Sequence, residues 1–320
     1  MSATSRIGVV VMAYGTPAAP DDLEAYYTHI RRGRPPEPAQ LDDLRRRYDA
    51  IGGTSSLAER TAAQVNAITS ALQRLSPDRF VVELGQKHAA PFVEDAVDTL
   101  VAGAVSAVVG VVLAPHYSRS SIGEYHRRAE AHLGHLPYVG IESWYDLPSF
   151  VAHQAAALRS ALDSLAAAAD EASPRPSATE VLFTAHSLPE RALVDDPYPD
   201  QLHDGAGRIA SAAGLDPRGA WSIAWQSAGR TADPWRGPDV GSVIVDRAES
   251  GGVAALVVVP HGFTSDHLEV AYDLDIEAAD LARAHGLRFA RAAVVNDDLS
   301  VMGELARRIA TAADGVGSAS

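Results

Sequence analysis

The sequence contains no cysteine. That absence removes disulfides, thiolate zinc sites, cysteine-held iron–sulfur clusters and cysteine nucleophiles at once. Any metal this chain handles must meet imidazole, carboxylate, a tyrosine oxygen or donors on another ligand. Basic residues are also scarce: 27 Lys and Arg stand against 41 Asp and Glu, a formal net charge of -14. So acidic a chain argues against a general nucleic-acid binder, which needs basic patches for phosphate. No run approaches the roughly 18 apolar residues that a membrane span requires. Residues Met1 to Ile7 lack a basic stretch followed by a long apolar segment, so no signal peptide is read and a cytoplasmic location is expected. No G-x-G-x-x-G follows the first apolar run, which speaks against a dinucleotide-binding dehydrogenase.

What is present suits a two-domain α/β protein. The chain has 320 residues, 47% of them hydrophobic and 21% charged, enough for two ordinary domains with real cores. Short β-branched runs recur at Gly8–Ala13, Phe80–Leu84, Ala107–Leu113, Tyr138–Glu142, Val181–Thr184, Ser222–Trp225, Ala255–Val259 and Phe289–Val295. They are continuously apolar, as strands of a parallel sheet covered on both faces should be. Helical stretches separate them, which reads as an open, doubly wound α/β fold. The strands fall four and four. Two similar domains are therefore expected, 1–145 and 146–298, each with a four-stranded, mostly parallel sheet. The last helix, 299–314, is expected to pack on the first domain. Between the halves come a helix from Pro148 to Ala168 and a Pro- and Ser-rich loop, Asp170–Ser177. The small, polar tail Gly315–Ser320 is expected to fray.

The halves also echo each other. Val111–His116 and Val257–His261 each run from valines into a Pro-His turn, and each proline is followed nine residues later by a glutamate, Glu124 or Glu269. The match is short, so duplication of the half-molecule and chance resemblance both stay open.

Open α/β sheets bind ligands beyond the C-terminal ends of their strands. The residues expected there are Tyr14-Gly15-Thr16-Pro17, Lys87-His88, His116, His186-Ser187, Gln226-Ser227 and His261. Loop histidines are commonly idle, but convergence at one sheet edge favours function. The segment Thr264–Glu269 should open a helix capped by Thr264 or Ser265, with Asp266 at its positive end and Gly286 near its finish. On that helix Glu269, Asp273 and Glu277, four apart, would form one carboxylate stripe. Such a stripe is commonly just a solvated face; with no basic partner at the same spacing, it also suits cations passing along it. An imidazole such as His186 facing a carboxylate suits a borderline divalent metal. Two arginine clusters, Arg31-Arg32-Gly33-Arg34 and Arg45-Arg46-Arg47-Tyr48, would give this acidic chain a local basic lip fit for a planar ligand bearing carboxylates.

Several motifs together resemble those of the ferrochelatase family. They are Met12–Pro17, Tyr26–Arg34, Arg47–Gly53, Ala185–Pro189, Asp196–Leu202, Trp225–Ser227 with Asp233–Trp235, and Gly262–Glu269. The tyrosine of Ala13-Tyr14-Gly15-Thr16-Pro17 is similar to the Gram-positive branch, the coproporphyrin III ferrochelatases. The resemblance implies two Rossmann-like, chelatase-type domains and insertion of Fe2+ into coproporphyrin III, with protoporphyrin IX as the alternative. It implies His186 and Glu269 as the catalytic, metal-binding pair and Tyr14 as a further metal ligand. It implies Tyr14, Arg31, Arg47, Tyr48, Ser55 and Tyr125 as porphyrin contacts, and Asp273 and Glu277 as an accessory acidic ridge. Fe2+ is then a substrate, with no cofactor permanently bound and no iron–sulfur cluster. Transient contacts with an iron donor and with a downstream haem-synthesis enzyme are implied, for a monomer without nucleic acid or a transmembrane segment. Two departures stand out. His261 replaces an apolar residue and either adds a ligand or fills space. Ser56 replaces a proline after Ser55, which should loosen that loop. A porphyrin carrier without chemistry, or a chelatase for another tetrapyrrole or metal, remains the rival reading.

Overall fold

The computed structural model describes residues 6–167, 178–215, 221–229 and 231–317. Eight strands form two sheets: β1 (Ile7–Ala13), β2 (Phe80–Gln86), β3 (Ala107–Val112) and β4 (Tyr138–Ile141); β5 (Thr179–His186), β6 (Trp221–Gln226), β7 (Ala255–Val259) and β8 (Arg288–Arg291). All pairings between these strands are parallel, and the orders are β2-β1-β3-β4 and β6-β5-β7-β8. Around them lie α1 (Leu23–Ile30), α2 (Pro38–Ala50), α3 (Leu57–Leu75), α4 (Val93–Ala102), α5 (Ile122–Glu130), α6 (Pro148–Ala167), α7 (Tyr198–Ala213), α8 (Val240–Ser250), α9 (Leu268–Ala271), α10 (Ala279–Ala284) and α11 (Leu299–Gly317).

Burial explains why the strand runs read as continuous apolar stretches. β1, β3 and β7 are buried at every position, because helices cover both faces and a neighbour lies on each side. The edge strands β2, β4 and β8 are only half-buried over most of their length. The last expected strand was too long. β8 stops at Arg291, not Val295, because it pairs with β7, and β7 itself ends at Val259. The strand order reverses between β1 and β3, and again between β5 and β7. In doubly wound sheets such a switch opens a crevice at the C-terminal strand ends.

Two compact units divide the chain: residues up to Leu147 together with those from Asn296 on, and Pro148–Val295. In the first, α11 lies against α3. Val301, Met302, Leu305, Ala306 and Ile309 of α11 are fully buried, as are Ile68 and Leu72 of α3. At about 1.5–3 kcal/mol for each large apolar side chain buried, this seam is a major part of the unit's stability. Polar ties finish it: Gln64 Nε2 donates to the Asn296 carbonyl at 2.8 Å, and Arg308 pairs with Asp146 at 2.8 Å. Of the tail expected to fray, Gly315–Gly317 belong to α11 instead, and the rest lies outside the described residues. The expected loop Asp170–Ser177 lies outside the described residues. The two segments that echo each other occupy the third strand of each sheet and the turn after it.

Candidate metal and porphyrin site

In the second unit, β5 delivers His186 at its final residue, paired in register with Gln226 at the end of β6. His186 Nδ1 lies 2.6 Å from the Ser187 carbonyl. A carbonyl can only accept, so Nδ1 carries the hydrogen and Nε2 keeps a lone pair for a proton or a metal. The Tyr198 hydroxyl donates to the His186 carbonyl at 3.2 Å, which anchors the same residue from α7.

Glu269 reaches the same place through Gln226. Gln226 Nε2 donates to the Glu269 carbonyl at 2.7 Å, so one side chain spans from the strand-paired neighbour of His186 to the backbone of Glu269. The carboxyl of Glu269 keeps 33% of its side chain exposed, and its Oε2 lies 3.6 Å from His267 Nδ1. Next in line, Asp273 is buried, and Ser227 Oγ donates to its Oδ2 at 2.5 Å. Glu277 is exposed. The three acids therefore differ in environment, running from an exposed outer member through a buried one to a half-buried one.

The helix that carries them is not the continuous one expected. Thr264 and Ser265 are buried and do not cap it. His267 takes that position, its Nδ1 accepting from Val270 N at 3.3 Å. After the single turn of α9, residues Asp273–Ala278 form a π-helical turn before α10 resumes the α geometry. Glu277 N bonds to the Tyr272 carbonyl, five residues back, at 2.9 Å. Such π turns are rare and recur at functional sites. Asp266 does not serve the helix end either; it pairs with Arg291.

In the first unit, a pocket of about 580 Å³ opens beside the end of β1, with Tyr14, His29, Arg32, Lys87, His88 and Arg128 among its lining. Tyr14 is 42% exposed there and packs against His88 with ring centroids 4.7 Å apart. Burial, aided by Lys87, His29 and Arg128 nearby, pushes His88 down to about 3. Its ring is therefore neutral at physiological pH, and its Nδ1 shares a hydrogen with His29 Nδ1 at 3.0 Å. Lys87 pairs with Glu124 at 2.9 Å, and Arg128 grips Glu94 through two bonds.

The other rim residues are placed unequally. Arg31 ends α1 and exchanges guanidinium-to-carbonyl bonds with Arg34. Among the described residues Arg31, Arg32 and Arg34 make no ion pair. The second arginine cluster is less basic than its sequence implied, because α2 supplies its own acids. Arg45 pairs with Asp42, Arg46 with Asp43, and Arg47 with Asp43 at 3.3 Å. Tyr48 is buried with its hydroxyl 3.3 Å from Thr16 Oγ1. Tyr125 is buried within the sheet-covering core, with Lys87 Nζ over its ring. Ser55 Oγ accepts from Leu57 N at 3.2 Å, and Ser56 occupies the first turn boundary of α3, its carbonyl taking Arg60 N at 2.9 Å. That loop is tied at both serines.

His261 is resolved as a space-filling residue. It is fully buried, donates from Nε2 to the Leu202 carbonyl at 3.0 Å, and meets Phe183 edge to face. Burial pushes it down to about 4. Its folded value lies below the unfolded one, so the unfolded chain binds the extra proton, and stability falls as pH drops from 6.5 toward 4. Between pH 6.5 and 5 this residue should remove about 2 kcal/mol. His261→Gln, which keeps a donor for Leu202, should flatten that loss in urea denaturation at the two pH values. An unchanged slope would mean that other groups set the acid sensitivity.

The ferrochelatase family profile matches residues 6–313. The chain belongs to the ferrochelatase family. Members are metal chelatases, a class of lyase, in which iron is a substrate. Among curated proteins, coproporphyrin III ferrochelatase of Geobacillus thermodenitrificans is 42% identical over 301 residues, covering 92% of each chain. The coproporphyrin III ferrochelatase of Bacillus subtilis (strain 168) is 44% identical over 277 residues, 85% of this chain and 86% of its own. Among solved structures, SirB from Bacillus subtilis with Fe3+ aligns with a TM-score of 0.54 at 11% identity, over 97% of this chain and 98% of its own. The sirohydrochlorin chelatase SirB from Bacillus subtilis subspecies spizizenii, in complex with cobalt, gives 0.52 at 10% identity, over 98% and 97%. At such identities the likeness is one of fold, and it is a chelatase fold in both units.

Among the described residues no three or more His, Asp or Glu side chains gather as a metal cage, and no helix is long and apolar enough to cross a membrane. Sequence reasoning passed over several supporting residues. Tyr198, Gln226 and Ser227 lay inside recognised motifs but had no assigned task. Arg291 carried no local signal at all.

Proposed function

We propose that the chain inserts ferrous iron into coproporphyrin III, with His186 and Glu269 at the metal. The observation that supports this best is the Gln226 link: it fixes the backbone of Glu269 beside a strand end whose histidine has one tautomer and a free Nε2. The reaction exchanges two inner pyrrole protons for one Fe2+. Those protons are weakly acidic, so they need a base placed at the ring, and the ion must shed water to enter. The line Glu277, Asp273, Glu269 offers successive carboxylate oxygens that can replace water on the ion step by step. Glu269, nearest His186 in that line, hands the ion on; His186 Nε2 accepts one inner proton and releases it to solvent, and the carboxylate of Glu269, freed of the ion, accepts the other. Anchoring of the propionates by Arg31, Arg47, Tyr48 and Ser55 would supply remote binding energy to offset ring puckering of about 1–5 kcal/mol. Tyr125 would contribute at most a buried edge, while the exposed ring of Tyr14 stands ready as a ligand on the product's metal.

Coproporphyrin III carries four propionates and protoporphyrin IX two. Arg31, Arg32 and Arg34, without ion-pair partners among the described residues, favour the substrate with more carboxylates. No permanently bound cofactor, a cytoplasmic monomer and transient contacts with an iron donor and a downstream haem-synthesis enzyme belong to the same reading. The test is anaerobic turnover with ferrous iron and each porphyrin in turn. The expected result is a higher kcat/KM for coproporphyrin III; equal values or the reverse order would refute the substrate assignment.

A further inference from the structure

Arg291 ends β8 and reaches acidic residues on both sides of Glu269 in the sequence. Its guanidinium grips Asp275 with two bonds, Nε to Oδ1 at 2.6 Å and Nη2 to Oδ2 at 2.9 Å. The same Nη2 lies 3.2 Å from Asp266 Oδ1. Asp266 stands three residues before Glu269, and Asp275 stands in the π-helical turn between Asp273 and Glu277. The last nitrogen, Nη1, bonds to the Ala292 carbonyl at 3.3 Å. Only 18% of the Arg291 side chain is exposed, against 40% for Asp275 and 31% for Asp266, so the guanidinium is largely withdrawn from water while its two partners keep an edge in it, and the two-bond fork to Asp275 is the firmer contact.

The segment so gripped cannot hold its own shape. A four-residue α helix is far below the length that is stable alone, and π-helical geometry persists only where its surroundings impose it. Gln226 holds the Glu269 carbonyl, and Ser227 holds the Asp273 carboxylate. Arg291 joins the residues before Glu269 to the π turn after it. We infer that Arg291 is a positioning residue for the metal path: its clasp on Asp266 and Asp275 fixes the register of Glu269, Asp273 and Glu277 and thereby the affinity for the incoming ion. This rests on the proposed role of those acids.

Charge and positioning make opposite demands on the same variants. If Arg291 acted only as a nearby cation, its removal would strengthen the attraction of three carboxylates for Fe2+ and lower the metal KM. If it positions them, removal raises the metal KM. Arg291→Lys keeps the charge but not the two-bond fork, so charge alone leaves the metal KM unchanged and positioning raises it. The experiment varies ferrous iron at saturating coproporphyrin III for the full chain, Arg291→Met and Arg291→Lys, with porphyrin affinity measured separately by fluorescence quenching. The expected result is a metal KM raised about 10-fold or more in Arg291→Met, a smaller rise in Arg291→Lys, and unchanged porphyrin affinity. An unchanged or lowered metal KM in the variants overturns the inference, and so does an equal loss of porphyrin affinity. Should Arg291→Met fail to fold, Arg291→Lys decides alone. Glu269→Gln separates this from the underlying reading. Normal turnover in Glu269→Gln would remove the metal path itself; an inactive Glu269→Gln with parental metal KM in the Arg291 variants would remove only the clasp.

Discussion

Glu269→Gln is expected to lower ferrous-iron insertion by about 100-fold or more, the scale lost with a positioned acid–base group, while coproporphyrin III still binds. The glutamine keeps the volume of the side chain and removes only its charge and basicity. The contact to Gln226 survives, because it is made to the backbone carbonyl of Glu269. Folding should therefore be little disturbed, and the loss should appear in kcat/KM for iron. Porphyrin fluorescence quenching measures the retained binding, and anaerobic appearance of the metalloporphyrin absorbance measures the lost turnover.

His186→Asn should produce a loss of similar size by a different route. An asparagine amide can donate to the Ser187 carbonyl much as Nδ1 does now, so the strand end and its tie to Tyr198 should persist. What disappears is Nε2, the one ring nitrogen free to take a proton or touch the ion. The expected drop in turnover is about 100-fold or more, with the melting temperature close to that of the parent chain. A variant that turned over normally would show that the imidazole acts only as a strand-end anchor.

Much of the scaffold was legible because parallel, doubly covered strands leave an unmistakable apolar signature. β1, β3 and β7 were visible for that reason. The end of β8 was not, since Ala292 to Val295 are as apolar as a strand, yet the last bond to β7 is Ala292 N to the Val258 carbonyl at 2.8 Å. The carboxylate stripe was legible as a spacing of four. Its π turn was not, because that geometry is imposed by tertiary contacts and leaves no mark in local composition. Histidines at the strand ends divided according to depth. His186 keeps a usable nitrogen, whereas His261 lies in the core against Phe183 and Leu202. Sequence could not separate them, since both follow a strand of apolar residues. The basic lip was overstated for a similar reason: Asp42 and Asp43 stand one helical turn before the arginines they neutralise, at i,i+3 and i,i+4, a pairing that emerges only when α2 is helical.

The most direct measurement of whether His186 and Glu269 act as one unit is a double-mutant cycle on iron insertion into bound coproporphyrin III. Groups that serve a single step are strongly non-additive. The expected result is that His186→Asn combined with Glu269→Gln turns over no more slowly than the worse single variant. Losses that multiply, or a double variant that keeps parental turnover, would contradict a shared role at the metal.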